Sequence, residues 1–439
     1  FARGQLALGV LGVDALLAAA HAGSFAAAFH FGDIGGQWGS PDVVLVGLKR
    51  CLSGGAASTW QKWRDRREGA AMWQADVLVI GGGIAGLSLA ARLSERARVA
   101  VIEGESAPGY HASGRSVAVV HFGLGEQVVR TLTALSLAQL AAHGTRHPAL
   151  HIAAAAQGAA LDALEETHRS FGCDYARLSG EAARTLLPVL KPEACHEALL
   201  DHGALKLDTD AMLQAHAATI RANRGAVITG ARVTGIAAER GGWVVHTADG
   251  ARHSAPLLVN AAGAWADDIA RLAGITPIGI EPRRRTVISF AAPDGEDVRQ
   301  WPFTKTVGEG LYLLPEGRGQ LLASSMDQTP SKPCDAATEE LDIAVAADRV
   351  KQATTLAIRR ISHSWAGLRS FAPDELPVIG PAAGAPGFVW CAGQGGYGFQ
   401  TAPALARIAE SAALGLPFPA DCAAAGLAPE QFSPARLGA

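Results

Sequence analysis

The densest chemistry-bearing pattern in the chain is Gly81-Gly-Gly-Ile-Ala-Gly86, followed by an acid at Glu103. In a Gly-x-Gly-x-x-Gly turn the first glycine permits the tight bend, the second lets a pyrophosphate approach the backbone, and the third packs a helix on a strand. The helix that follows points unpaired N–H groups and a positive dipole end at the phosphates. An acid about twenty residues beyond the turn accepts hydrogen bonds from ribose hydroxyls, and Glu103 stands where that acid is needed. Its charge would repel a 2′-phosphate, which disfavours NADP. Gly81, Gly83, Ile84, Ala85, Gly86 and Glu103 are therefore expected to hold a dinucleotide. The turn alone does not separate FAD from NAD.

These residues need a strand, a turn, a helix and a second strand to position them. Asp76-Val-Leu-Val-Ile80 reads as the first strand, an Ala/Leu-rich helix runs to about Glu95, and Val99-Ala-Val-Ile102 is the second strand, which makes one βαβ unit. Helices are expected near Val128–His143, Ala159–Phe171 and Asp210–Ala222. Alternating segments follow over Ala226–Gly250 and Thr286–Phe290, and a hairpin over Gly310–Ala323 turns at Pro315–Gly319. Phe388–Ala392 is a strand, Gly393–Gly398 a glycine turn, and Thr401–Ala413 a helix. The fold class is α/β (α+β), and no internal repeat is present.

The 439 residues suffice for two or three domains. A net charge of −3 without a basic stripe excludes nucleic acid as a partner. The six cysteines form no C-x-x-C pair, so neither zinc nor a disulfide framework is expected, and a reducing cytoplasm is the simplest compartment. The first methionine is Met72, which is the expected natural start, with residues 1–71 outside the enzyme fold. Ala15–Gly32 lacks formal charge, but it is Ala-dominated and close to the lower length limit for a span, so stable membrane insertion is not expected.

Several stretches after Met72 carry a family likeness. They are Asp76–Gly86, Pro108-Gly-Tyr-His-Ala-Ser-Gly-Arg-Ser116, Leu207-Asp-Thr-Asp210, Val259-Asn-Ala-Ala-Gly-Ala-Trp265, Pro282-Arg-Arg-Arg285, Trp365-Ala-Gly-Leu-Arg-Ser-Phe371 and Gln394-Gly-Gly-Tyr-Gly-Phe-Gln-Thr401. In this order they resemble the FAD-dependent D-amino-acid oxidase superfamily of glycine oxidase-like proteins, most of all its bacterial D-arginine dehydrogenase branch. The resemblance implies FAD and a Rossmann-like FAD-binding domain made of residues 72–125, 206–275 and 364–439. Interleaved with it would be a substrate domain, residues 126–205 and 276–363, on a mixed or antiparallel sheet with helices.

The resemblance also assigns residues. Ser113, Gly114, Arg115 and Ser116 would offer donors to the pyrophosphate and flavin edge, and Val233 would border the adenine. Ala262, Gly263 and Trp265 would lie against the dinucleotide. Gly395, Gly396, Tyr397, Gly398, Gln400 and Thr401 would bring a second helix N-terminus to the flavin ring. Flavin oxidation of an amino acid needs the Cα–H held toward the ring, hence a rigid grip on the carboxylate, and the planar fork of arginine suits that task. By resemblance Arg285 and Arg369 are that grip, Tyr312 adds a hydroxyl, and Gly396 and Gln400 receive the substrate amine. On composition alone, Arg283–Arg285 read equally as a surface ion-pair cluster.

The glutamate that reads a guanidinium in the D-arginine branch falls in Ala153-Ala-Ala-Ala156 here, so an arginine substrate is not expected. Val119, Leu124, Ala155 and Phe303 would favour an apolar side chain. Lys305 and His121 would favour an acidic or polar one if they point inward, although a lysine is more often exposed. The expected reaction is oxidative deamination of a neutral or apolar D-amino acid, with electrons passing to oxygen or to a quinone or dye. Oxidation of glycine, sarcosine, proline-type amines or a 2-hydroxy acid, an NAD-dependent reaction, and a non-catalytic flavoprotein remain as alternatives. Cys391, in the strand before the glycine turn, leaves covalent flavin attachment open.

Overall fold

A computed structural model describes residues 73–438 apart from Glu309 and Arg318. The expectations for residues 1–71, for Met72 as a start and for Ala15–Gly32 lie outside these residues. In chain order the elements used below are β1 (Val77–Ile80), α1 (Ile84–Leu93), β2 (Val99–Ile102), α2 (Gln127–Ala134), β3 (Ala149–Ala153), α3 (Gly158–Ser170), β4 (Tyr175–Ser179), β5 (Glu197–Asp201), β6 (Ala226–Ile228) and β7 (Leu257–Asn260). They continue with β8 (Glu281–Ala291), β9 (Phe303–Thr306), β10 (Tyr312–Glu316), β11 (Gln320–Ser324), α4 (Glu340–Ala353), β12 (Ile361–Phe371), β13 (Val378–Pro381), β14 (Phe388–Ala392) and α5 (Gly398–Leu414).

The first sheet has the order β13-β14-β7-β1-β2-β6 and is parallel except for its edge strand β13. Its central strands are continuous aliphatic runs because both faces are covered. Val77 and Val79 of β1 enter a core with α1 and α5, whereas Leu78 and Ile80 enter one with Trp243, Phe388 and Trp390. Helix α1 packs tightly on this sheet because Gly86 has no side chain: a Cβ there would fall 2.0 Å from the Gly81 carbonyl oxygen.

The second sheet is nine-stranded and mixed. Its order runs from the short edge Thr329–Pro330 through β8-β11-β10-β9-β3-β5-β4, with β12 also pairing β8. All the labelled pairs are antiparallel except β9 with β3. Alternation divides its faces. Leu313, Ile288 and Phe290 pack with Ala346 and Val350 of α4, while Tyr312, Leu314, Val287 and Phe303 point the other way. Strand β12 carries this sheet across residue 364, the sequence-based domain division.

Among the described residues no helix is long and apolar enough to cross a membrane. No group of His, Cys, Asp and Glu there is arranged to hold a metal ion, and the five described cysteines are free.

Candidate active site

One continuous cleft runs from the glycine turn after β1 to the open face of the second sheet. All the residues assigned from sequence to the cofactor, the carboxylate and the amine except Gly86, Gly114 and Thr401 line it. Those three support its wall instead. Gly86 lets α1 approach; Gly114 donates from its amide to the Gly109 carbonyl at 2.6 Å; and the buried Thr401 hydroxyl donates to the Tyr397 carbonyl at 2.8 Å.

At the turn, Gly81 has φ +109° and a Cβ there would fall 2.3 Å from the Ala261 carbonyl oxygen, so only glycine fits. Glu103 lies over the turn, accepting from the Gly82 amide at 2.6 Å and the Glu105 amide at 2.8 Å. Each carboxylate oxygen keeps a lone pair for a hydroxyl. Ser113 accepts from the Ile84 amide at 3.0 Å, leaving its proton to be donated. A glycine cradle at a helix start, an acid held beside it and an open channel beyond together fit a dinucleotide.

Two cleft-lining side chains are engaged within the protein. The Arg115 guanidinium donates to the Ala336 and Ala366 carbonyls at 2.8 and 2.9 Å and pairs with Asp335. The guanidinium thereby braces the loop. The Tyr397 hydroxyl donates to the Glu375 carbonyl. Sequence reasoning missed Arg232, which lines the cleft and pairs with Glu105 at 3.0 Å, and His111, whose ring lies 4.5 Å from that of Trp265. Arg232 sits in no motif that would have marked it, whereas His111 lies within the Pro108–Ser116 stretch without having been assigned a role there.

At the far end, β8 and β12 pair with Arg285 opposite Gly367 and Arg369 opposite Arg283. Arg285 and Arg369 therefore project from one face, diagonal to each other. Of the arginine run, Arg284 points away and pairs with Asp342 at 2.9 Å and with Glu339; Arg283 pairs with Glu281 and Glu375 and lies over the Phe371 ring. Arg285 donates to the Asp327 carbonyl at 2.7 Å, and the Asp327 carboxylate lies 4.0 Å away. Burial, then the Arg285 charge, push the Arg369 guanidinium down to about 9. Burial raises the Tyr312 phenol from its usual 10, with the two arginines opposing, so it stays a donor at neutral pH.

Gln400 donates from its amide nitrogen to Thr133 at 2.9 Å, and its buried amide oxygen has no partner among the described residues. The Gly395 amide donates to the Ser370 carbonyl at 2.8 Å, which ties the second glycine turn to β12 beside Arg369.

One side-chain expectation is corrected and one open alternative is decided. Ala155 does not line the cleft; it sits in the short 3₁₀ turn Ala155–Gln157. Lys305 is not a surface residue, because the alternation of β9 puts it on the same face as Phe303, and it is buried in the cleft wall with His121. Val119, Leu124 and Phe303 line the cleft as expected.

Comparison with known proteins agrees with this geometry. A protein of Bos taurus, FAD-dependent oxidoreductase domain-containing protein 1, is 31% identical over 170 residues, 34% of each chain. Glycine oxidase of Pseudomonas putida is 30% identical over 184 residues, 40% of this chain and 47% of that protein. The chain thus matches a third to a half of the length of these relatives. Dithionite-reduced L-α-glycerophosphate oxidase from Mycoplasma pneumoniae, solved with FAD bound, superposes with a TM-score of 0.71 at 21% identity, over 78% of this chain and 95% of that one. The family model described as FAD-dependent oxidoreductase (DAO) matches residues 76–411, and the chain, with its dinucleotide cradle opening onto a buried arginine pair, belongs to that family and takes FAD as its cofactor.

Proposed function

We propose that the protein catalyses oxidative deamination of a D-amino acid. The observation that carries this reading is the pair Arg285 and Arg369, on one face of adjacent strands and in the same cleft as the glycine turn. A buried pair of guanidinium groups is a receptor for a carboxylate, and the planar fork fixes its orientation as well as its place.

When bound, FAD supplies the acceptor for the two electrons and the hydrogen that leave the substrate carbon as hydride. The chain's own residues orient and desolvate the substrate. Arg285 and Arg369 hold the α-carboxylate, and the Tyr312 hydroxyl donates to the same group. The unpartnered Gln400 amide oxygen accepts an N–H from the amine, which favours the neutral amine whose lone pair forms the C=N bond as hydride departs. Water then hydrolyses the imino acid to a 2-oxo acid and ammonia, and an external acceptor, oxygen or a quinone or dye, takes the electrons. No nucleophile from the chain is required.

The test is anaerobic mixing of the holoprotein with a panel of D- and L-amino acids, followed by air. Bleaching of the flavin by D-amino acids is the expected result. Bleaching by dithionite but by no amino acid would overturn the reading, and faster bleaching by L-enantiomers would overturn its stereochemistry.

A further inference from the structure

The two ends of a glutamine amide are alike in size and opposite in role, since the oxygen only accepts and the nitrogen only donates. Which end of Gln400 meets the substrate is decided by a residue outside the cleft. Gln400 stands in the first turn of α5, and its amide nitrogen meets the hydroxyl of Thr133, near the end of α2, at 2.9 Å. Both residues are buried. The Thr133 hydroxyl also lies 2.8 Å from the Val129 carbonyl one turn back along α2. A carbonyl can only accept, so the single hydroxyl proton sits between those two oxygens; without it the contact would set lone pairs against each other. A hydroxyl whose proton is spent must be offered an N–H. The NH2 of Gln400 therefore faces Thr133, and its oxygen is the end left without a partner among the described residues.

The facing of the two helices is held at a second point. Ser136, just beyond α2, donates to the Leu132 carbonyl at 2.7 Å and accepts from the Ala404 amide of α5 at 3.2 Å. Both hydroxyls thus spend their protons on their own segment and accept from α5. Val129, whose carbonyl sets the direction of the Thr133 hydroxyl, packs with Phe371 at the end of β12 and Tyr397 at the start of α5. Helix α2 is in this way seated against the two elements that carry Arg369 and Gln400.

We propose that Thr133 is a positioning residue that fixes the polarity of the Gln400 amide, nitrogen toward α2 and oxygen toward the substrate amine; this rests on the deamination reading, in which that oxygen accepts an N–H from the amine. As hydride leaves the α-carbon for the flavin, the amine lone pair becomes the second bond of C=N. An oxygen held at the amine takes one N–H and leaves the lone pair free. An inverted amide would donate to that lone pair, and this hydrogen bond would have to break before C=N could form. The polarity of the amide therefore acts on the oxidation step more than on binding.

Thr133→Val keeps the shape of the side chain and removes the hydroxyl. The flavin-replete variant is mixed anaerobically with the amino acid of the panel that bleaches the wild-type flavin fastest, at a series of concentrations, and pentanoate, which carries a carboxylate and no amine, is titrated in parallel. The limiting rate of flavin reduction is expected to fall about tenfold, while the dissociation constants of the amino acid and of pentanoate change by less than about threefold. Thr133→Ser should restore the rate, and Thr133→Val should cost nothing further in a Gln400→Leu background. An undiminished rate in Thr133→Val overturns the inference. So does a loss that Thr133→Ser does not restore, or one matched by an equal loss of pentanoate binding, since either would make the hydroxyl a matter of packing. Should Thr133→Val not fold, Thr133→Ala is judged by the same rates and Thr133→Ser by its retention of them. Failure of every amino acid to bleach the wild-type flavin defeats the deamination reading and this inference together, whereas bleaching at the same rate in wild type and Thr133→Val defeats the inference alone.

Discussion

Gly396 lies so close to the guanidinium of Arg369 that a Cβ built on it would fall 2.6 Å from both Cζ and Nη1 of the arginine. The glycine turn and the arginine strand are therefore fitted to each other with no room for a methyl group. Gly396→Ala should displace Arg369 and lower kcat/KM at least about tenfold. Combined with Arg369→Ala it should cost little more than Arg369→Ala alone, since the two changes act through one contact. Additive losses in the double-mutant cycle would show that the glycine acts independently of the arginine.

Arg369→Ala itself should leave flavin bound while kcat/KM falls by at least about two orders of magnitude, near the ~3 kcal/mol typical of a charged hydrogen-bonded partner. Flavin content from the absorbance ratio and steady-state rates are the measurements. An unchanged kcat/KM would remove Arg369 from the substrate site.

Acid should destabilise the protein through its buried histidines. His121 and His151 are held well below 6.5 by burial and neighbouring cations. The unfolded chain therefore binds more protons than the folded one below 6.5. Stability from these groups is fully present above that pH and is lost as the pH falls toward their folded values. Tm should be nearly flat from pH 7 to 8 and decline below 6.5, and His151→Phe should make that decline shallower. A decline of the same slope in the variant would exclude His151 as its source.

Substrate recognition should weaken in base. Burial, then Arg285 and Arg369, push Lys305 down to about 8, so its cation is present below that pH and is lost as the pH rises through it. Tyr312 is raised from 10 and does not titrate in this window. Affinity for a carboxylate ligand should fall between pH 7 and 9 in the wild-type protein, and less steeply in Lys305→Met, where Arg369, itself pushed down to about 9, is the cation that loses charge. Bound anion will move the midpoint upward, so a shallow fall displaced toward pH 9 is also consistent, whereas affinity rising with pH is not.

Cys391 lies in the cleft wall with its thiol pushed up to about 12 by burial, and the Gln394 amide donates to its sulfur at 3.8 Å. A thiol held protonated is a poor nucleophile. FAD should accordingly be released in full by denaturation, and mass spectrometry of the denatured chain should show the unmodified mass.

Much of the fold was legible because its signals are local. The run Val77–Ile80, the glycine turn and Val99–Ile102 are each specified within a few residues, as is the hairpin of β10 and β11. Strand β12, Ile-Ser-His-Ser-Trp-Ala-Gly-Leu-Arg-Ser-Phe, was not anticipated as a strand. Its polar residues and Gly367 obscure the alternation, and pairing with β8 along nearly its whole length is what makes it one. Helix α4 escaped notice because only Ala346, Val350 and Ala353 are fully buried, with the rest of the element half-buried or exposed. The site was less legible than the fold. Three consecutive arginines look alike in sequence, and only strand register sends Arg285 into the cleft while Arg284 meets Asp342. Lys305 was discounted on the general habit of lysines, although Phe303 two residues earlier marked the buried face.

The two arginines proposed to hold the carboxylate and the cleft-lining Lys305 lie on different strands. Arg285 and Arg369 ride on β8 and β12, where the backbone ladder fixes their separation, and Lys305 rides on β9, with β10 and β11 between. A substitution at position 305 therefore leaves untouched the register that spaces the two arginines. Two stretches of the cleft wall are thus built by separable parts of one sheet, so a lineage, or an engineer, can vary one while the other keeps its geometry.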